Sequence, residues 1–200
     1  GAHEAPTAIY RSVGFGNTTA LASGGSNAMS INASTGVATF ASDLNYNIGV
    51  GDVIKYNSGA NFAFIYKRTS ETQYSVRSMS GGSPTAATAD TSWNIYRAYT
   101  SLSNAMSGTE NTAISSNFDN FPTDQNLYSA NKQWHVAIYA DAADTSTVST
   151  PAFTTSSSNY LRFFAPYLTT ETSSHQRHEG FWDITRSTIS AANYYAAFNF

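Results

Sequence analysis

No segment of this chain runs far before a turn former interrupts it. Alternating or β-rich segments lie at Ala8–Val13, Ala28–Ile31, Gly36–Phe40, Asp52–Tyr56, Asn61–Lys67, Gln73–Ser78, Trp93–Thr100, Gln133–Ala140 and Asn159–Phe164, with at least one more within Ile184–Phe200. Gly24-Gly25-Ser26, Asn57-Ser58-Gly59 and Gly81-Gly82-Ser83-Pro84 are among the turn clusters between them. A break every 8–12 residues or so specifies strands joined by turns. A helix needs apolar residues three and four apart over about ten positions. Only Ser101–Met106 approaches that, with Thr100 or Ser101 as cap and Gly108 as stop. The predicted class is mainly β: an antiparallel β-sandwich or small barrel-like sheets with at most one short helix, or alternatively a short β-solenoid.

At 200 residues the chain can bury one useful core, and it reads as a single β-rich subunit. A composition shift near 80–92 marks a soft internal boundary. Residues 1–84 form a barrel-like meander lobe and 93–200 a second β lobe. Within the first, Val50–Ser78 reads as three short antiparallel strands.

Charged residues are only 12% of the chain and aromatics 14%, while Ser, Thr and Asn make up roughly a third. Disordered chains and helical bundles have the opposite bias. The net charge is −3, and the ten Lys and Arg form no cluster, which argues against nucleic acid or an anionic membrane as a partner. No apolar run approaches the roughly 20 residues of a membrane span. Without cysteine there is neither a thiolate nucleophile nor a Cys-ligated metal. The start, Gly1-Ala2-His3 without Met, fits a processed secreted chain or an expression remnant.

The chemistry-bearing residues do not assemble into a known site. Gly14-Phe15-Gly16 lacks the third glycine of a dinucleotide fingerprint and reads as a turn. His175, His178 and Glu179 have no identifiable further metal ligand and read as a polar loop. Alternation puts His135 on the strand face opposite Trp134, Val136 and Ile138. Asp141 and Asp144 lack calcium-loop spacing and read as a strand-ending turn. Thirteen acids allow many carboxylate pairs and the sequence selects none. No catalytic residue, metal ligand or cofactor is assigned, and the chain is read as a non-enzyme. Asn17-Thr18-Thr19 and Asn32-Ala33-Ser34 make Asn17 and Asn32 glycosylation candidates.

The ends carry the most distinctive pattern. In Ala191–Phe200, Tyr194, Ala196, Phe198 and Phe200 share one face of an extended strand, and Tyr195 sits beside them. The N-terminal Ala5–Tyr10 is likewise extended and nearly uncharged. Such ends need a sheet to join, in their own subunit or in another. Ile9, Tyr10, Tyr194, Tyr195, Phe198 and Phe200 are the candidate self-assembly residues.

Four stretches, Ile9-Tyr10-Arg11-Ser12-Val13-Gly14, Asn47-Ile48-Gly49-Val50-Gly51-Asp52, Arg97-Ala98-Tyr99-Thr100-Ser101-Leu102 and Ser174-His175-Gln176-Arg177-His178, carry a loose resemblance. They are similar to the N-terminal region of large secreted bacterial and metagenomic surface proteins that continue into a parallel β-helix. The resemblance covers about residues 9–186 and implies an extracellular, structural or adhesive setting, with no catalytic residues to carry over.

The function expected is therefore an extracellular or cell-surface structural protein that binds copies of itself through extended terminal strands, as a filament, sheath or surface-layer subunit. Low charge weakens repulsion between subunits, and Tyr and Phe supply contact area. The alternatives are a carbohydrate-binding or adhesive module, with Trp93, Trp134 and Trp182 as stacking candidates, and a viral capsid or tail component.

Overall fold

A computed structural model of the chain describes residues 4–45, 47–114, 125–149 and 152–177. Eleven strands and two short helices occur in these residues: β1 (Thr7–Gly14), β2 (Ala22–Ser23), β3 (Met29–Asn32), β4 (Val37–Phe40), β5 (Val53–Tyr56), β6 (Asn61–Arg68), β7 (Gln73–Arg77), β8 (Ala87–Asp90), β9 (Asn94–Tyr96), α1 (Leu102–Ser107), α2 (Leu127–Ala130), β10 (Lys132–Tyr139) and β11 (Leu161–Phe164). The protein is mainly β, and its described residues build two sheets and no closed barrel.

The larger sheet is antiparallel, with strand order β2-β9-β5-β6-β7-β4-β3-β8. Its centre is the meander read from Val50–Ser78. The β5–β6 turn holds Asn57 at φ 51° and Ser58 at φ 57°, with Gly59 at φ 86°. Asn is tolerant of this left-handed conformation and Gly adopts it freely, so the hairpin forms where the sequence places Asn57-Ser58-Gly59. Register shifts between Ile65 and Lys67, and between Met29 and Ile31, interrupt the ladders. Such irregularities increase local twist and help the sheet curl. The β8 end then comes back to the β5–β6 turn, where the Asn57 N–H donates to Asp90 Oδ2 at 2.6 Å. Residues 80–92 thus carry β8 into this sheet.

The smaller sheet is parallel, ordered β1-β10-β11. The chain between β1 and β10 contains the entire larger sheet. β10 is central, and Trp134–Tyr139 is buried throughout, as expected for a parallel strand covered on both faces. Alternation sorts its side chains as the sequence indicates. Trp134, Val136 and Ile138 face the larger sheet, while Ala137 and Tyr139 face the other way.

Three apolar clusters result. Ile9, Val13, Val53, Phe64, Trp134 and α1 residues Leu102, Ala105 and Met106 fill the space between the sheets. Phe64 and its neighbour Ile65 point to opposite faces of β6, and Ile65 joins a second core inside the curl with Met29, Phe40, Tyr74 and Trp93. The third core, Val50, Ala137, Tyr139 and Phe164, lies on the outer side of the parallel sheet. Each fully buried aromatic or large aliphatic side chain contributes about 2–3 kcal/mol of hydrophobic stabilisation before entropy is subtracted.

Helix α1 ends where its caps dictate. The Asn104 N–H donates to Ser101 Oγ at 3.0 Å, and Gly108 closes the helix at φ 72°. The structure adds a second turn of helix, α2, beyond the one expected. Asn126 caps it, accepting from the Ser129 N–H at 3.0 Å, and Asn131 ends it at φ 50°. The expected strand Trp93–Thr100 shortens to Asn94–Tyr96. The expected strand within Ile184–Phe200 lies outside the described residues. Among the described residues no helix is long and apolar enough to cross a membrane.

Candidate functional site

Where β9 leaves the larger sheet, Arg97 enters a closed polar pocket against the Tyr139 end of β10. Its Nη1 donates to both carboxylate oxygens of Asp52 at 2.8 Å. Nε and Nη2 donate to Asp141 Oδ2 and Oδ1, each at 2.9 Å. The guanidinium lies 3.5 Å from the Tyr139 ring centroid. Asp52 also accepts from the Gly49 N–H at 2.9 Å, and Asn17 Nδ2 donates to Asp141 Oδ2 at 2.8 Å. Arg97 and Asp52 are fully enclosed. Burial pushes the Asp52 carboxyl above the usual carboxylate range, against the pull of Arg97. Burial also opposes charge on Asp141, but its hydrogen bonds and ion pair with Arg97 win, and its pKa is lowered. On Arg97 burial again opposes charge; the two carboxylates outweigh it and raise the pKa. This is a joint between the sheets, closed to any substrate.

The edges of the parallel sheet are unequal. In a parallel ladder the backbone groups of alternate residues point to opposite sides. The Trp134 N–H donates to the Tyr160 carbonyl at 3.0 Å, so Trp134 and Val136 turn toward β11 while His135 and Ala137 turn toward β1. On β1 it is then Ala8, Tyr10, Ser12 and Gly14 that face outward, and several of their backbone groups have partners. The Ser12 N–H donates to Gly51 at 2.9 Å, and the Ser12 carbonyl accepts from the Tyr99 N–H at 3.0 Å. The Gly14 N–H donates to Tyr99 at 3.0 Å. Arg11 Nη1 caps the Tyr10 carbonyl at 2.9 Å and Arg77 Nη1 the Ala8 carbonyl at 3.3 Å. Ser12, the Gly14 N–H and the Ala8 and Tyr10 carbonyls on the β1 side thus have partners within the subunit. On the other side, β11 is the last strand among the described residues, and Leu161 and Phe163 extend the inter-sheet core up to it.

The outer face of this sheet carries a polar–aromatic row. Tyr10, His135 and Arg162 are in register across the three strands. The Tyr10 and His135 rings stack with centroids 4.6 Å apart, and Tyr160 meets His135 edge-on at 5.8 Å. His135 is only 4% exposed. Burial and then the Arg162 charge hold its imidazole down to a pKa of about 4, so it is neutral at pH 7.

The expected contact residues divide. Ile9 is 2% exposed and part of its own subunit's inter-sheet core, so it is not a surface contact element. Tyr10 remains half-buried on the outer face. Tyr194, Tyr195, Phe198 and Phe200 lie outside the described residues, as do His178, Glu179 and Trp182. Trp93 and Trp134 are core residues and unavailable to stack on a sugar. His175 is exposed on the loop after β11. Gly14-Phe15-Gly16 is a turn, closed by the Asn17 N–H on the Gly14 carbonyl at 3.1 Å. Asp144 makes the expected turn, accepting from the Ser146 N–H at 3.0 Å, and also caps the Leu102 N–H at 2.7 Å. Among the described residues no three His, Asp or Glu side chains converge.

Asn32 is exposed, and Asn17 is half-buried against Asp141. Sequence reading missed the joint between Arg97, Asp52 and Asp141, because its members are 44 and 45 residues apart and share no local pattern. The low overall charge was the available signal, since few ionisable groups leave each more conspicuous.

No family model matches the chain, and neither a curated protein nor a solved structure matches it.

Proposed function

We propose that this chain is a non-enzymatic structural subunit, extracellular or at a cell surface, that joins copies of itself by strand addition. The observation that carries the reading is the inequality of the parallel sheet's two sides. Ser12 and Gly14 on the β1 side are bonded to Gly51 and Tyr99, so the reading puts the added strand beside β11, the last strand of this sheet among the described residues. Strand addition supplies main-chain hydrogen bonds for affinity and alternate side chains for register. The donor is the C-terminal segment of a neighbouring copy, in which Tyr194, Phe198 and Phe200 share one face of the extended sequence. Donation from one copy to the next is head-to-tail, and such contacts build open filaments unless the rotation closes a ring.

Light scattering on the full chain over a concentration series tests this. The average mass should rise with concentration. The full-length double variant Tyr194→Asp/Phe198→Asp should remain monomeric with an unchanged circular dichroism spectrum. A wild-type chain that stays monomeric at millimolar concentration overturns the proposal.

A further inference from the structure

A groove of about 440 Å³ opens on the side of the molecule where β6 and β7 meet the start of β1. Its floor is Tyr66, Val76 and Arg77. One wall is the β3–β4 turn, Ala33–Gly36, and the other is the loop Gly81–Pro84. The volume is in the range of small-molecule sites.

Its chemistry is narrow. Among the described residues Arg77 is the one charged side chain lining it, and no carboxylate does. The guanidinium lies 4.3 Å from the Tyr66 ring centroid and also donates to the Ala8 carbonyl, so ring and cation are held together before any ligand arrives. Ser34, Thr35, Ser83 and Thr7 put hydroxyl groups around this pair. Both walls stand close because they turn on glycine. Gly81 has φ 88° and a Cβ there would strike Thr7 Cγ2 at 2.5 Å; Gly36 has φ 64° and a Cβ would meet the Val76 carbonyl at 2.9 Å.

We infer that this groove binds an acidic saccharide, a pyranose unit packing on the Tyr66–Arg77 stack with its carboxylate on the guanidinium and its hydroxyls on the Ser and Thr walls. An apolar peptide or lipid finds too little hydrocarbon here, and a cation meets Arg77. A neutral sugar leaves the groove's one charge unused. Charge-assisted hydrogen bonds are the stronger kind, so the carboxylate should dominate selectivity.

The test is a nuclear magnetic resonance titration of the full-length Tyr194→Asp/Phe198→Asp variant, a monomer whose substitutions lie outside the groove lining, with tetragalacturonic acid, maltotetraose and inorganic phosphate. Tetragalacturonic acid should shift the amides of residues 33–36, 66, 77 and 81–83. Maltotetraose and phosphate should bind at least about tenfold more weakly. Arg77→Gln should lower the affinity for tetragalacturonic acid by about tenfold or more. Ser34→Tyr fills the groove from an exposed turn and should abolish binding with Arg77 intact, which keeps the test decisive if Arg77→Gln unfolds. Equal binding of phosphate would reduce the site to a simple anion contact and overturn the inference. So would shifts confined to other residues, or no shifts at all. These results are independent of whether the chain self-associates.

Discussion

Arg97 Nη1 lies 2.8 Å from both carboxylate oxygens of Asp52, a residue 45 positions earlier, and neither side chain has any solvent exposure. The pair sits at the junction of the two sheets with Asp141 on the far side of the same guanidinium. Enclosed ion pairs gain little over an apolar replacement of the whole set, but removing one member leaves an uncompensated buried charge.

Arg97→Met should therefore destabilise the protein by about 3–5 kcal/mol, because it strands two carboxylates at once. Asp141→Asn should cost less, since Asp52 still neutralises Arg97 and the amide oxygen can still accept. Urea denaturation of the three proteins checks the order. An Arg97→Met variant as stable as the parent would show that the joint holds nothing together.

Gly51 stands at φ 89° where the larger sheet crosses β1, and a Cβ there would collide with the Arg11 carbonyl carbon and the Ser12 amide nitrogen. Gly51→Ala should push β1 away from the sheet and cost about 2 kcal/mol or more. Loss of amide-exchange protection at Ser12, whose N–H donates to Gly51, should accompany the drop in Tm.

His135 gives the stability a defined acid limb. Its folded pKa, about 4, lies below the ordinary value of 6.5, so between pH 6.5 and 4 the unfolded chain binds the proton and the folded one does not. Stability from this residue is present above pH 6.5 and declines as the pH falls toward 4, by at most about 3 kcal/mol. His135→Gln should flatten that part of the profile, measured as urea midpoints at pH 7 and 4.5. An unchanged slope would place the titration elsewhere.

The two glycosylation candidates should behave differently in a eukaryotic secretory host. Asn32 Oδ1 accepts from Ser34 and Thr35 within an exposed turn, and a sugar on its nitrogen projects into solvent. Asn17 Nδ2 is committed to Asp141 beside the buried Arg97. Glycopeptide mass spectrometry of the secreted, folded protein should find occupancy at Asn32 and little at Asn17. High occupancy at Asn17 would mean that this hydrogen bond is dispensable.

Much of the local structure is legible in the chain itself. Alternation over Gln133–Ala140 sorts Trp134, Val136 and Ile138 from His135, because side-chain direction along a strand follows from backbone geometry alone. Ser101 and Gly108 bracket α1 because a cap is a local hydrogen bond and a local dihedral angle. Strand β8 and helix α2 escape such reading. Ala87–Asp90 alternates over only four residues and with nothing larger than Ala on its apolar positions, and α2 consists of four residues between two asparagines.

The amino-acid sequence by itself determined that this protein is mainly β, where several of its strands turn, and how the side chains of β10 divide between its two faces, since all of these depend on neighbours a few residues away. Only the tertiary structure decided that β1 and β10 lie parallel, pairing Tyr10 with His135 across more than half the chain, and that Arg97 joins Asp52 to Asp141. Nothing local encodes those partners. They are chosen when the sheets pack, because burying Ile9 and Trp134 together brings the backbones into register and leaves the charged groups no solvent to turn to.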